Sequence, residues 1–324
     1  MREFSVGRND ANQRLDRFCA KTARNLPASL LQKYLRQKDI KINGHPAKGD
    51  VRLAEGDIVR MYVPEEYFEA ANMRSAPTRS SSPKPDVIYE DGNILLANKP
   101  AGLLCHSAGE WSANTLIAGI QEYLRNRGEW DPSAENSFAP ALCNRIDRNT
   151  AGLVLAAKNA EALRILDEKI RARELEKSYL CAVMGSPKPA SGRLEGYIFK
   201  DAKKNQVYVY DEPRTGAKSA VTEYKVLARE GNLSLVQVHL ITGRTHQIRA
   251  QFRHAGWPLL GDGKYGSERE NRAYHESKQA LCAFRLQFAF PTDAGALNYL
   301  KGRIFEAPLP EWVEKYFPSG WKTV

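Results

Sequence analysis

The 324-residue chain has few cysteines and no short-range way of pairing them. Cys19, Cys105, Cys143, Cys181 and Cys282 are odd in number and widely spaced, and no C-x-x-C pair occurs. That argues against a compact disulfide framework and against a cysteine zinc site, so buried reduced thiols are expected and no metal site. Long apolar runs are also missing: none approaches the roughly 18 to 20 residues that a spanning helix needs. The opening residues Met1-Arg2-Glu3-Phe4-Ser5 lack the basic-then-apolar layout of a secretory signal, which makes a cytoplasmic location the expectation. The phosphate-loop pattern G-x-x-x-x-G-K-[ST] does not occur. Gly256 and Gly261 have its glycine spacing, but Asp262 stands where the lysine belongs. G-x-G-x-x-G and H-E-x-x-H are absent too. Nucleotide hydrolysis, dinucleotide redox chemistry and zinc proteolysis thereby lose their simplest support.

What is present is apolar mass and positive charge. Hydrophobic residues make up 42% of the chain, enough for a substantial core, and the length suits one large domain with an appendage or two domains. The net charge of +10 favours a polyanionic partner, either nucleic acid or an anionic membrane. It is unevenly spread: residues 1–64 carry 13 Lys and Arg against 7 Asp and Glu, a net +6. More than half of the excess lies in the first fifth of the chain, which points to a dedicated basic module.

Residues 1–69 read as a small α/β domain. "QRLDRF" starts one amphipathic helix, and residues 28–37 form a second with Leu31, Tyr34 and Leu35 at helical spacing. Ile40-Lys41-Ile42 alternates into the tight-turn pair Asn43-Gly44, with further strands expected at Val51 and Leu53 and over residues 56–63. Arg14, Arg17, Arg24, Lys33, Arg36, Lys38 and Lys41 cluster on or beside the two helices. A solvated helix face would account for a few of them; seven favour a phosphate-contacting face. Residues 70–86 are rich in Ser, Pro and Arg without a hydrophobic period, as in a flexible extended linker. In residues 87–324 strands are expected over 87–91, 94–100, 179–183, 221–227 and 233–241, and helices over 113–125 and 160–174. No βα unit or internal repeat recurs. The reading is therefore α+β, with a mixed, mostly antiparallel sheet flanked by helices.

The densest chemistry lies in "CNRIDRNTAGLVLAAK", residues 143–158, where a polar loop runs into an apolar strand. Its carboxylate, Asp147, stands between Arg145 and Arg148. By itself this composition fits an ordinary loop ion pair, the commoner use of such residues. Likewise "GRTHQIR", residues 243–249, would be explained by a turn and a strand with solvent-facing charges. His246 and His106 fit hydrogen-bonded structural histidines, and Lys99-Pro100-Ala101-Gly102 fits a strand end and turn that shapes its surroundings.

Taken together, these segments resemble an ordered set of motifs. Residues 143–158 are similar to the "HRLDRxTSGLLLLAK" signature of RluA-type pseudouridine synthases. "VIYEDGNILLANKPAGLLCHS", "ELEKSYLCAVMG" and "LITGRTHQIRAQFRHAGWPLLGDGKYG" resemble the family's other segments in the same order, and residues 279–310 resemble its end. Residues 1–69 look like the RNA-binding domain first seen in ribosomal protein S4, through "RLDRF", "LQKYLRQKDIKINGHPAK" and "LAEGDIVRMYV". The resemblance implies Asp147 as the catalytic carboxylate, with Tyr179 and Arg249 as its partners. It leaves Arg145, Arg148, Arg244 and His246 for substrate contact and base flipping, and Arg14, Arg17, Lys33, Arg36, Lys38 and Lys41 for RNA binding. One position departs from the pattern: Asn144 replaces the usual histidine, which implies altered substrate contacts and not a loss of activity.

The implied reaction is isomerisation of uridine in RNA. The bond from ribose to nitrogen 1 breaks, the base turns, and carbon 5 takes its place. No atoms are gained, so no cofactor is expected. A carboxylate suits the positive charge that builds on the sugar, and an arginine keeps it ionised and oriented. Tyr179 would stack beside the base or help remove the proton from carbon 5. Arg145 is placed to fill the space that an extruded uridine leaves. The layout leans towards large-subunit ribosomal RNA as the partner, with no membrane and a monomer by default. A tRNA substrate, a non-catalytic RNA-binding or ribosome-assembly factor, and a base-releasing glycosylase remain the alternatives.

Overall fold

The computed structural model describes residues 1–68, 82–107 and 113–321. The first body is a four-stranded antiparallel sheet with two helices: β1 (Arg2–Ser5), α1 (Leu15–Thr22), α2 (Ala28–Arg36), β2 (Ile40–Ile42), β3 (His45–Pro46) and β4 (Ile58–Met61), in strand order β1-β4-β2-β3. Leu15, Phe18, Leu31, Leu35, Ile40, Val59 and Met61 close its own core, as the helical and alternating patterns require. Asn43 and Gly44 both have positive φ at the β2–β3 turn, which is why that dipeptide suits it. Val51 and Leu53 make no strand. Val51 accepts from the Leu15 N–H and Leu53 donates to Gln13, so their backbone closes the entry to α1 in place of a sheet ladder.

The larger body follows with β5 (Val87–Glu90), β6 (Ile94–Lys99), α3 (Leu116–Asn126), β7 (Ala141–Leu142), β8 (Ala151–Ala157), α4 (Ala160–Arg171), β9 (Leu175–Met184), β10 (Ser191–Asp201), β11 (Gln206–Tyr210), β12 (Lys218–Glu230), β13 (Leu233–Leu240), α5 (Gln247–His254), α6 (Glu268–Ala273), β14 (Leu281–Phe288), β15 (Ile304–Glu306) and α7 (Glu311–Tyr316). Eleven strands form one mixed sheet, ordered β11-β10-β12-β13-β9-β14-β8-β6-β5, with β15 on β14 and β7 on β8. Among these pairings only β14 with β8 is parallel. The expected mixed, mostly antiparallel α+β architecture is therefore what the chain adopts.

That parallel seam fixes the centre of the molecule. Gly152 at its start has φ +107, and a Cβ there would lie 2.3 Å from the Ala283 carbonyl oxygen. Only glycine lets β8 and β14 approach so closely. Residues 70–81 of the expected linker lie outside the described residues. Beyond them, the Ser82 N–H donates to Glu122 on α3 at 3.0 Å. The small body meets the large one through polar contacts: Asn9 donates to Glu135, Ser137 donates to the buried Asp10, and Asn9 accepts from the Ala160 N–H at the start of α4.

Candidate active site

Two loops and one helix build a cleft of about 890 Å³ at the central seam. Asp147 lies in the loop between β7 and β8. Its carbonyl accepts from Thr150 N–H at 3.1 Å, and buried Thr150 is held in turn by Gln279 at 2.6 Å. Lys99, completely buried at the end of β6, donates to the carbonyls of Pro100, Leu103 and Arg148. It thus ties the turn after β6 to the Asp147 loop, the shaping role expected of that segment. Burial lowers the Lys99 ammonium to about 8, because the charged form is the one that loses hydration.

Residues 247–254 are helix α5 and not the strand that the composition would also have allowed. The left-handed φ of +52 at His246 turns the chain into it. Gln247 accepts from the Arg244 N–H and donates to Val221 and Thr222, and Gln251 donates to Leu194 and Ala220. These buried amides bond the helix to the sheet and leave their own polar atoms paired. One turn on, Arg249 faces Asp147.

Arg249 is the hub. It donates through Nη1 to Asp147 Oδ2 at 2.8 Å, and through Nε and Nη2 to the two oxygens of Asp262 at 2.7 and 2.9 Å. Asp262 is fully buried and also accepts from the Lys264 and Tyr265 N–H groups. Burial works against both charges, yet each partner stabilises the other. Arg249 is raised above its ordinary value and Asp262 falls below the usual carboxylate range. The bidentate pair occupies most of the guanidinium fork, so Asp147 receives one N–H on one oxygen. Among the described residues Oδ1 of Asp147 has no partner of its own.

Tyr179, on β9, walls the cleft. It is buried, and burial, followed by the nearby Asp147, raises its phenol well above the ordinary range. A neutral ring suits stacking and is ill suited to serve unaided as a base near pH 7. Arg145 is exposed on the cleft lining and makes no ion pair among the described residues. Arg244 lines the cleft and donates to Ser219. Arg148 does not line it: its side chain donates to the Gly102 carbonyl. Asn144 accepts from the Leu155 N–H at 2.8 Å, which makes it a clip on β8 at the edge of the cleft. The sequence motifs assign no role to Asp262 and Tyr265. Their signal was "GDGKY", in which a charged residue next to glycine follows an apolar run. Gly261 has φ +73 and meets the Lys278 carbonyl, so no larger residue fits there.

The family model for RNA pseudouridylate synthase matches residues 93–254, which span the Asp147 loop and the Arg249 helix. The uncharacterized RNA pseudouridine synthase YlyB of Bacillus subtilis (strain 168) is 32% identical over 95% of this chain and 94% of its own length. The chain belongs to the RluA-type RNA pseudouridylate synthase family. A second relative, ribosomal large subunit pseudouridine synthase C of Vibrio vulnificus (strain CMCP6), is 30% identical over 95% of this chain and 93% of its own. The fold agrees. The structure of human RNA pseudouridylate synthase domain containing 1 superposes with a TM-score of 0.54 at 22% identity, covering 74% of this chain and 88% of the other. This pseudouridine synthase is thus an isomerase that acts on RNA. Among its described residues no helix is long and apolar enough to cross a membrane.

Proposed function

We propose that this synthase isomerises uridines of large-subunit ribosomal RNA, with Asp147 as the reacting carboxylate. The observation that carries the assignment is the one-sided hold on Asp147. Arg249 orients it through Oδ2, and Oδ1 is left for the substrate. As the bond from C1′ to nitrogen 1 breaks, positive charge grows on the ribose and an aimed carboxylate stabilises or traps it. The uracil keeps its electron pair and turns against the Tyr179 ring. Carbon 5 then bonds to C1′ and gives up its proton, while nitrogen 1 gains one. The large-subunit assignment is supported by the name of the Vibrio relative.

Extruding the target base costs a few kcal/mol, which stacking and phosphate contacts offset. We assign the phosphate contacts to the small N-terminal body, read as an S4-like domain. Arg17, Lys33, Arg36 and Lys38 are exposed there, and Lys41 lies over the Tyr62 ring. Arg14 pairs with Asp16, which makes it the weakest member of the set. The test is to map pseudouridine after incubating the full chain with large-subunit ribosomal RNA and, separately, with tRNA. Modification of defined uridines in the ribosomal RNA is expected, reduced when Arg17, Lys33 and Arg36 become glutamate. Modification confined to tRNA would overturn the substrate assignment.

Arg145 is assigned the space that the extruded base vacates. Arg145→Ala is then expected to lower the rate on folded RNA about tenfold or more, with little effect on a short single strand, where little stacking or pairing is lost. Equal losses on both RNAs would contradict it.

A further inference from the structure

The Tyr265 hydroxyl is shared by two partners, and how its one hydrogen is placed bears on the Asp147 cleft. Val207 N–H donates to it at 2.9 Å, and His246 Nδ1 lies 2.8 Å away. A phenol has a single hydrogen, and His246 Nδ1 is its acceptor among the described residues. The rings meet edge to face with centroids 5.6 Å apart. Nδ1 therefore accepts, and a neutral imidazole then carries its hydrogen on Nε2. The opposite tautomer would leave the phenolic hydrogen without an acceptor and turn an imidazole lone pair towards a carboxylate. Nε2 lies 3.9 Å from Asp147 Oδ2, too far for a direct hydrogen bond, and His246 lines the cleft. The space beside it suits a substrate oxygen.

We propose that Tyr265 is a positioning residue for the isomerisation: it fixes His246 in the tautomer whose Nε2–H donates to an oxygen of the target uridine beside Asp147. This rests on Asp147 being the reacting carboxylate. Burial, with Arg249 and Lys264 close by, keeps His246 neutral against the pull of Asp147 and Asp262, so the donor is an imidazole and not an imidazolium. The left-handed backbone of His246 at the start of α5 is uncommon for a residue other than glycine, and it aims the ring between Tyr265 and Asp147.

Tyr265 also bonds Val207 and lies under the Arg249 guanidinium, 5.1 Å from its ring centre, so loss of activity in one variant would not separate positioning from support. A double-mutant cycle does. Single-turnover rates at saturating RNA are measured for wild type, Tyr265→Phe, His246→Ala and the double variant, with His246→Gln as the variant whose amide still supplies a donor. Tyr265→Phe is expected to cost about tenfold in the wild-type background and almost nothing when His246 is alanine, as for a net loss near one good hydrogen bond. His246→Gln is expected to recover most of the loss in His246→Ala and to be insensitive to Tyr265→Phe. Equal losses from Tyr265→Phe in both backgrounds would reduce Tyr265 to a support for Val207 and overturn the proposal, as would a glutamine variant no faster than alanine. With Asp147→Asn inactive, either result sinks this inference alone. An active Asp147→Asn would remove the reading on which it rests.

Discussion

Asp147→Asn is expected to lower the single-turnover rate by about 10⁴-fold or more, as loss of a nucleophile or charge-stabilising carboxylate does elsewhere. RNA affinity and the denaturation midpoint should stay near those of the wild type. The amide has the shape of the carboxylate and still offers an oxygen to Arg249 Nη1. What it lacks is the negative charge that meets the sugar. The stability cost is small because the Asp147 side chain is a quarter exposed and Arg249 keeps its bidentate partner, so about 1 kcal/mol or less is at stake. Binding titrations and denaturant unfolding beside the kinetics check all three quantities. A variant with more than about a hundredth of the wild-type rate would sit outside what the carboxylate role allows.

Asp262→Asn is expected to give the opposite balance, with stability failing first. Its carboxylate is buried, accepts from Nε and Nη2 of Arg249 and caps two backbone N–H groups. The amide keeps one acceptor but loses the charge and turns an NH2 towards groups that donate. That leaves the buried guanidinium only partly compensated, a loss of about 3 kcal/mol. Activity should also fall at temperatures where the variant remains folded. Without Asp262, the Arg249 fork is free to turn both donors onto Asp147 and engage the oxygen left for the substrate. Guanidinium unfolding measures the first effect and single-turnover kinetics the second. A variant with the wild-type midpoint would show that the buried pair does not hold the site.

These two aspartates also show what the sequence revealed and what it hid. That Asp147 would lie at the cleft was legible because it stands in an ordered run of motifs that leads into an apolar strand. Asp262 was hidden in a loop: its meaning comes from Arg249, thirteen residues away in sequence and one helix away in space. The apolar runs of β6 and β8 and the periodicity of α2 and α4 were plain from side-chain spacing. Helix α5 was not, because polar Gln247, Arg249 and Gln251 are buried beside apolar Ile248, Ala250 and Phe252, so its short apolar stripe is broken up by buried polar residues. Besides the packing of Ile248 and Phe252, it is held by Gln247 and Gln251 amides bonded to the sheet, contacts between distant segments that a local pattern does not encode. Arg148 shows the reverse case. It sits beside Asp147 in sequence, but its side chain bonds Gly102 outside the cleft lining, because neighbours in a loop point in different directions.

Isomerisation in this cleft through Asp147 is open to a direct test. The most direct measurement is to incubate the protein with large-subunit ribosomal RNA tritiated at carbon 5 of uridine, counting tritium released to water beside pseudouridine formed and free uracil. One tritium released per pseudouridine is expected, with no free uracil, and neither product with Asp147→Asn. Free uracil in place of pseudouridine, or undiminished tritium release by Asp147→Asn, would contradict it.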